Sequence, residues 1–261
     1  MELSPQQLQS FKVFGFLVVP QFLDADYVQA LRDAVSALKA TESGEPDPIK
    51  HKDRVVGMFH KDPLLLELFE HPGLLAVARQ LLDDPPCLRF LGDEYVSYST
   101  PADWHPDMSP NQDFESLKFG FYLDDLSRGG CLRVVPGSHN SAFSDSLGKY
   151  RHGSEPSPDF SCAHSCMVEP GDLLIFNLKL WHQGTANPDG THRRVIFWSV
   201  GQGQSDSFRN YATGFHEKVG RGKENNSWPD FILESASRIR RELLDVYAAG
   251  TTKQCELDLD R

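Results

Sequence analysis

The order of hydrophobic and polar residues predicts helices at both ends of the chain and strands between them. Ser4, Pro5 and Gln7 form the signature of a helix start, a capping box with proline in the first turn, and Gly15 ends that helix. Residues 16–20 then predict a short strand. The chain therefore opens with one helix and one strand.

Two more helical segments are predicted before the β-rich part begins. Asp24 caps a helix whose apolar residues recur at steps of three and four, namely Tyr27, Val28, Leu31, Val35 and Leu38. Residues 64–82 are apolar at the same spacing and are interrupted by Pro72. Between these helices, residues 40–54 mix glycine, proline and charge without a period, which predicts a mobile loop.

From Leu88 onward the chain changes to short runs rich in β-branched and aromatic residues, separated by turn-forming residues. These runs predict strands at residues 90–98, 118–123, 131–135, 173–176 and 195–200, a pattern typical of an antiparallel sandwich or barrel. A last helix is expected to start at Ser227 and Pro229 and to pack against a sheet. No shift in composition divides the chain, so we predict one mainly β domain over residues 1–261 with its β core at about 88–201.

Composition and charge narrow the range of partners. The formal net charge of −11 repels phosphate backbones and anionic membrane surfaces, so we do not expect a nucleic-acid-binding protein. No apolar run approaches the roughly 20 residues that span a bilayer, and the first ten residues lack a secretion signal. The five cysteines are an odd number without the dense spacing of a secreted scaffold. We expect a cytoplasmic monomer or homodimer with reduced thiols.

Candidate chemistry begins at His105 and Asp107. Two side chains separated by one residue on extended backbone point to the same side, so an imidazole and a carboxylate can bind one ion. By itself the pair is explained more simply as two solvated loop residues. His182, which follows the LLIFN run, adds a third candidate ligand. Two histidines and one carboxylate leave three octahedral positions open, which favours iron(II) over the closed tetrahedral sites of zinc.

Arg193 is a candidate for binding an anion near this site. It starts the last predicted strand, and a guanidinium can receive the distal carboxylate of a dicarboxylic acid through paired hydrogen bonds. The alternative is a surface arginine. Arg194 is adjacent and points the opposite way, so we expect one of the two to lie on the surface.

Several motifs together resemble the phytanoyl-CoA dioxygenase family. They are HPD at residues 105–107, GGCLRVVPGSH at 129–139, PGDLLIFN at 170–177, and the spacing from His182 to Arg193. The resemblance extends over about residues 11–200. It implies a double-stranded β-helix core, also called a jelly roll and similar to the cupins, in an oxygenase that depends on iron(II) and 2-oxoglutarate.

The family's functional residues fall on identifiable positions of this chain. The resemblance implies that His105, Asp107 and His182 bind the metal and that Arg193 binds the 2-oxoglutarate carboxylate. Two further residues are implied beside 2-oxoglutarate. Relatives often have a serine where this chain has Gly184, and the neighbouring Thr185 can supply the hydroxyl instead. Tyr98 lies on the strand that leads to the implied metal-binding turn.

The implied reaction is hydroxylation of a small molecule, with O2 consumed and succinate and CO2 released. Related halogenases have a small residue where this chain has Asp107, so halogenation is not expected. Desaturation or epoxidation of a natural-product intermediate, a non-catalytic metal-bearing binding protein, and a zinc hydrolase or isomerase remain alternatives. The segments 138–160 and 201–228 are expected to select the substrate. A basic cluster there, Lys218, Arg221 and Lys223, is explained more simply as a solvated loop than as an anion site.

The remaining candidate residues, a possible zinc cluster, a turn histidine and four aromatic residues, can each be explained either by function or by structure. Cys162, His164 and Cys166 alternate on a predicted strand, but a fourth zinc ligand is not evident at a familiar spacing. His139 is expected to brace its turn. Two further pairs leave a choice open: Trp104 and Trp181 either wall the pocket or pack in the core, and only one of Phe119 and Tyr122 can face the pocket.

Overall fold

A computed structural model describes residues 1–42, 52–85, 88–98, 101–126, 129–148, 159–186 and 193–218 of the chain. Within these residues the strands are β1 (Phe16–Val19), β2 (Lys52–Val56), β3 (Leu88–Tyr98), β4 (Ser116–Tyr122), β5 (Leu132–Val134), β6 (His164–Cys166), β7 (Leu173–Asn177), β8 (His182–Gly184) and β9 (Arg193–Gln202). The helices are α1 (Pro5–Phe14), α2 (Ala25–Glu42), α3 (Pro63–Phe69), α4 (Pro72–Leu81), α5 (Ser141–Leu147) and α6 (Asp206–Lys218), with a short 3-10 turn at Met58–His60.

The strands form two antiparallel sheets that face each other. The larger sheet has the order β1-β7-β4-β9-β3-β2 and the smaller one the order β6-β5-β8. Side chains from both sheets meet in one buried cluster, which includes Leu132 and Val134 of the smaller sheet and Phe176, Val195 and Phe197 of the larger one. The predicted jelly-roll core is confirmed.

The helical caps predicted from the sequence are present. The Ser4 hydroxyl accepts a hydrogen bond from the Gln7 backbone at 3.2 Å, and the Gln7 side chain accepts one from the Ser4 backbone at 2.8 Å. Asp24 accepts from the Tyr27 backbone at 2.8 Å. These bonds satisfy backbone donors that a helix start leaves without an intrahelical partner.

The helices α1 to α4 cover the outer face of the larger sheet. Leu31 of α2, Leu65 of α3 and Leu74 of α4 are fully buried in the same cluster as Phe119 and Trp198. The latter two rings stack across β4 and β9 at 4.8 Å between centroids. Because strand residues alternate between faces, this packing leaves the opposite face of β4 and β9 for the space between the sheets.

The choice between Phe119 and Tyr122 is decided by this alternation. Phe119 belongs to the helix-covered core, whereas Tyr122 packs with Val195 in the cluster between the sheets. Lys118 lies on the same face of β4 as Tyr122, four residues away along the strand. The inner face of β4 therefore carries a lysine.

The predicted loop at residues 40–54 is wrong at both ends. Helix α2 continues to Glu42, and Lys52–Val56 forms β2, which pairs antiparallel with β3. β2 is an edge strand with three charged residues at its start, and edge strands tolerate charge because one side is unpaired. The segment therefore lacks the apolar pattern on which a strand prediction depends.

Some predictions fall on parts of the chain that the structure does not describe. The helix expected to start at Ser227 lies outside the described residues, and so do Arg221, Lys223 and the side chain of Lys218. Of the helices that are described, none has the length and apolar character needed to cross a membrane.

Replacing Gly15 with alanine tests how the first helix joins the sheet. Gly15 has φ of 80°, and a Cβ there would lie 2.5 Å from Nδ1 of His139. We expect Gly15→Ala to lower the free energy of unfolding by about 2 kcal/mol or more. Gly148 is the matched control, because its φ is −55° and a Cβ would meet no described atom within 4 Å. Equal effects of the two variants in urea denaturation would contradict this account.

Candidate metal centre

A short antiparallel pairing brings the two candidate histidines together. The His105 backbone N–H donates to the His182 carbonyl at 3.1 Å, and the His182 N–H donates back at 2.9 Å. The pairing continues on both sides, since Ala102 donates to Gly184 and Met108 donates to Leu178, each at 2.9 Å. The two imidazole rings consequently lie 4.5 Å apart between centroids.

Asp107 completes the group of three. One of its oxygens, Oδ1, lies 3.8 Å from His105 Nε2, and the other, Oδ2, lies 3.7 Å from His182 Nε2. One candidate ligand atom from each of the three residues falls within 4.8 Å of the others. The structure therefore brings together the three residues that the sequence singled out.

The protonation of both histidines is set by backbone carbonyls. His105 Nδ1 lies 2.7 Å from the Asp103 carbonyl oxygen, and His182 Nδ1 lies 2.8 Å from that of Leu180. A carbonyl can only accept, so Nδ1 carries the proton in each neutral ring. The lone pair is then on Nε2, which faces Asp107 in both residues. This is the arrangement in which histidine binds a metal.

Electrostatics keep the group in its metal-binding form. Burial lowers the pKa of His182 from 6.5 to about 4, against the opposing effect of the Asp107 charge. Burial alone would raise the pKa of Asp107, but the charge of Lys118, followed by the charges that the two histidines carry when protonated, holds it well below its usual range. Near neutral pH His182 is therefore a neutral imidazole and Asp107 a carboxylate.

Lys118 was missed as a site residue by the sequence reasoning, which treated it only as the start of a strand. Its Nζ lies 3.0 Å from Asp107 Oδ2 and 3.3 Å from Glu94 Oε1. Burial would lower the pKa of Lys118, but these two carboxylates raise it, so it remains charged. The sequence does contain a signal for this residue, because Lys118 is the one charged residue of its strand and lies on the same face as Tyr122.

Arg193 is buried at the start of β9. Only 1% of it is exposed, and its Nη1 donates to the Thr185 carbonyl at 2.6 Å. It belongs to the inner face of β9 with Val195 and Phe197. The structure therefore places a permanent positive charge in the space between the sheets.

Arg194 is more than the surface arginine that was expected for one of the pair. On the opposite face of β9, its guanidinium binds the Asp124 carboxylate through Nη2 at 2.5 Å and through Nε, and its backbone N–H donates to the same carboxylate. The two neighbouring arginines therefore have different surroundings, with Arg194 in a partly exposed ion pair.

The two further candidates beside the site have different outcomes. The Thr185 hydroxyl donates to the Cys131 carbonyl at 2.9 Å, so its proton already has a partner within the fold. The side chain of Tyr98 lies outside the described part of the chain, while its backbone pairs with Arg193 across β3 and β9. Their roles toward a co-substrate stay predictions.

The two tryptophans beside the histidines pack in the core. Trp104 and Trp181 are 1% exposed and share a buried cluster with Val135 and Leu147. The Trp181 indole N–H donates to the Ser144 hydroxyl at 2.8 Å. The packing interpretation accounts for both.

The other sequence candidates have structural surroundings. Among the described residues, Cys162, His164 and Cys166 are not gathered into a metal-binding group, and burial raises the pKa of the Cys166 thiol. His139 Nε2 lies 3.2 Å from the Lys12 carbonyl, which agrees with the expected bracing role.

Helix α6 packs against the segment that follows Asp107. Phe208 and Tyr211 contact the Phe114 ring, with centroids 5.3 and 5.7 Å apart, and the Ser207 hydroxyl donates to Asp113 at 3.0 Å. Burial, followed by the charge of Asp107, raises the pKa of Tyr211. This helix lies within the segment expected to select the substrate.

The buried state of His182 predicts a pH effect on the metal-free protein. The unfolded chain takes up this proton near pH 6.5 and the folded chain only near pH 4, so falling pH favours unfolding between these values. From about pH 7.5 to about pH 5 we expect the free energy of unfolding to fall by about 2 kcal/mol more in the wild type than in His182→Gln. Parallel urea-denaturation curves in the presence of a chelator would refute the assignment of this buried, neutral state.

Comparison with known proteins links this geometry to one family. Residues 11–195 match the family model described as phytanoyl-CoA dioxygenase. A probable phytanoyl-CoA dioxygenase of Caenorhabditis elegans is 25% identical over 187 residues, which are 64% of this chain. The match spans 58% of the length of that relative.

Solved structures show the same fold at low sequence identity. HygX from Streptomyces hygroscopicus, crystallised with nickel and 2-oxoglutarate, has a TM-score of 0.65 and 21% identity, covering 77% of this chain and 88% of HygX. The epimerase SnoN, in complex with Fe3+, alpha ketoglutarate and nogalamycin RO, has a TM-score of 0.59 and 22% identity, covering 76% of this chain and 82% of SnoN.

Proposed function

Because this chain belongs to the phytanoyl-CoA dioxygenase family, we propose that it is an oxygenase that uses iron(II), 2-oxoglutarate and O2. His105, Asp107 and His182 are the proposed metal ligands. The observation that carries the proposal is the convergence of two Nε2 lone pairs, each set by a carbonyl at Nδ1, on one carboxylate.

The donor set fits iron(II). Two imidazole nitrogens and one carboxylate occupy one face of an octahedron and leave three positions for small molecules, the arrangement of non-haem iron oxygenases. When bound, iron with 2-oxoglutarate supplies the oxidising chemistry, and succinate and CO2 are the co-products. The protein's part is to bind, orient and exclude water.

Arg193 is the proposed partner of the distal 2-oxoglutarate carboxylate. It is charged at any physiological pH and buried, and Val195 and Phe197 line the same face of β9. An apolar wall strengthens an ion pair by excluding water. Thr185, whose carbonyl holds the guanidinium, helps to fix its direction.

The proposed reaction is hydroxylation of a small molecule. A carboxylate at Asp107 fills the position that halogenases free for chloride. SnoN is an epimerase with iron and alpha ketoglutarate, so the same cofactors also support other outcomes on this fold. The substrate is proposed to lie against α6, which packs on the segment that follows Asp107.

The first experiment tests the metal and co-substrate together without a substrate. Metal-free protein is titrated anaerobically with iron(II) and then with 2-oxoglutarate, and the visible charge-transfer band of the chelate is recorded. We expect the band in the wild type and its loss in His182→Ala and Asp107→Ala, because each variant removes one ligand. Bound iron without a band would instead favour a non-catalytic metal-binding protein, and activity with zinc in the absence of O2 would favour a hydrolase or isomerase.

Substitution of the two neighbouring arginines tests the co-substrate site. Arg193→Ala should raise the 2-oxoglutarate concentration needed for the band by roughly two orders of magnitude, since a charged hydrogen-bonded contact contributes about 2–3 kcal/mol. Arg194→Ala is the matched control, because it removes the neighbouring guanidinium from the opposite face of β9. Equal shifts in both variants would assign the carboxylate to another group.

A further inference from the structure

We propose that Lys118 is a positioning residue that keeps Asp107 a single-oxygen ligand of the metal. By holding Oδ2, it keeps open a coordination position that this second oxygen would otherwise take. The inference rests on the proposed function, in which Asp107 binds the metal.

Lys118 is held in place on several sides. Its Nζ lies 3.0 Å from Asp107 Oδ2, 3.3 Å from Glu94 Oε1 and 4.9 Å from the centroid of the Phe197 ring. Its side chain is only 12% exposed. An ammonium has three N–H groups, and these contacts direct it at the carboxylates of two different segments. Lys118 is therefore a largely buried member of the candidate site, and its ammonium group is bound by protein groups and not only by water.

The backbone of β4 and β9 explains why the Phe197 ring lies beneath this ammonium. Gly120 pairs with Phe197 across the two strands. A Cβ at Gly120 would lie 2.9 Å from a carbon of the Phe197 ring, so glycine allows the ring to lie this close to β4. The Phe197 ring then makes a cation–π contact with the Lys118 ammonium. Glu94, which pairs with Phe197 across β3 and β9, forms an ion pair with the same ammonium.

The contact between Lys118 and Asp107 matters because it affects how many coordination positions of the metal stay open. A carboxylate binds a metal through one oxygen or through two. If Asp107 used both, the three open positions of the facial set would become two. 2-Oxoglutarate binds through two atoms and would fill them, so that none would remain for O2. Because Lys118 occupies Oδ2, the remaining oxygen, Oδ1, is the one available to the metal.

This role predicts opposite effects on metal binding and on turnover. Lys118→Met removes a positive charge beside the metal and frees Oδ2. A divalent ion should therefore bind more tightly, with a dissociation constant lower by roughly tenfold or more. Succinate release should nevertheless slow by about tenfold or more, because the free position is lost. A lysine with only a structural role would weaken both properties together.

The test uses cobalt(II) as the metal, because its visible absorption bands report the number and geometry of ligands. Metal-free wild type, Lys118→Met and Lys118→Arg are titrated anaerobically with cobalt, before and after addition of 2-oxoglutarate. We expect tighter binding and altered bands in Lys118→Met, and wild-type behaviour in Lys118→Arg, which keeps the charge and the donors. Unchanged bands in Lys118→Met would overturn the proposal whatever the strength of cobalt binding, because loss of the charge alone tightens binding without changing the ligands.

Controls separate this inference from the proposed function. Lys179→Met removes another buried lysine, whose Nζ pairs with Glu115 at 2.7 Å, and should leave the cobalt bands as in the wild type. If the wild type itself binds no cobalt at a site lost in His182→Ala, the metal centre fails and not the role of Lys118. Thermal denaturation of each metal-free variant checks the fold. Should Lys118→Met not fold, Lys118→Gln also lacks the charge and must show the same tightening of cobalt binding.

Discussion

The candidate metal centre of this protein depends on one short antiparallel pairing, between residues 102–108 and residues 178–184. Two backbone hydrogen bonds join His105 to His182, and two more join the ends of the paired segments. On its other side, β8 pairs with β5, and the Trp181 carbonyl accepts from Val135. The positions of the two imidazoles are therefore fixed by a ladder and not by flexible loops, which is what a metal site with few ligands requires.

The larger sheet serves two purposes because its strands alternate. One face is covered by helices and carries Phe119 and Trp198, and the other carries Lys118, Val195 and Phe197 toward the smaller sheet. Burial on the first face stabilises the fold, since apolar area removed from water contributes about 25 cal/mol per Å2. The inner face, which the helices do not cover, can therefore carry a charged group such as Lys118.

The buried cations between the sheets make polar contacts with the protein. Lys118 lies between the carboxylates of Asp107 and Glu94, and Arg193 donates to the Thr185 carbonyl. A buried charge without such contacts costs several kcal/mol, and replacing an ion pair with apolar residues often stabilises a protein. The charged groups near His182 are therefore not explained by stability alone.

The sequence by itself determined what depends on short-range signals. The capping box at Ser4, the proline break at Pro72, the strand runs and the motifs around His105 and His182 are readable because the cause and the effect lie within a few residues. Only the tertiary structure decided which residues meet across the sheets. The edge strand β2, the contact of Lys118 with Asp107 and the packing of Tyr211 on Phe114 all depend on register and packing between distant segments. No local pattern encodes such contacts, because a one-residue change in register would turn Lys118 to the opposite face of the sheet.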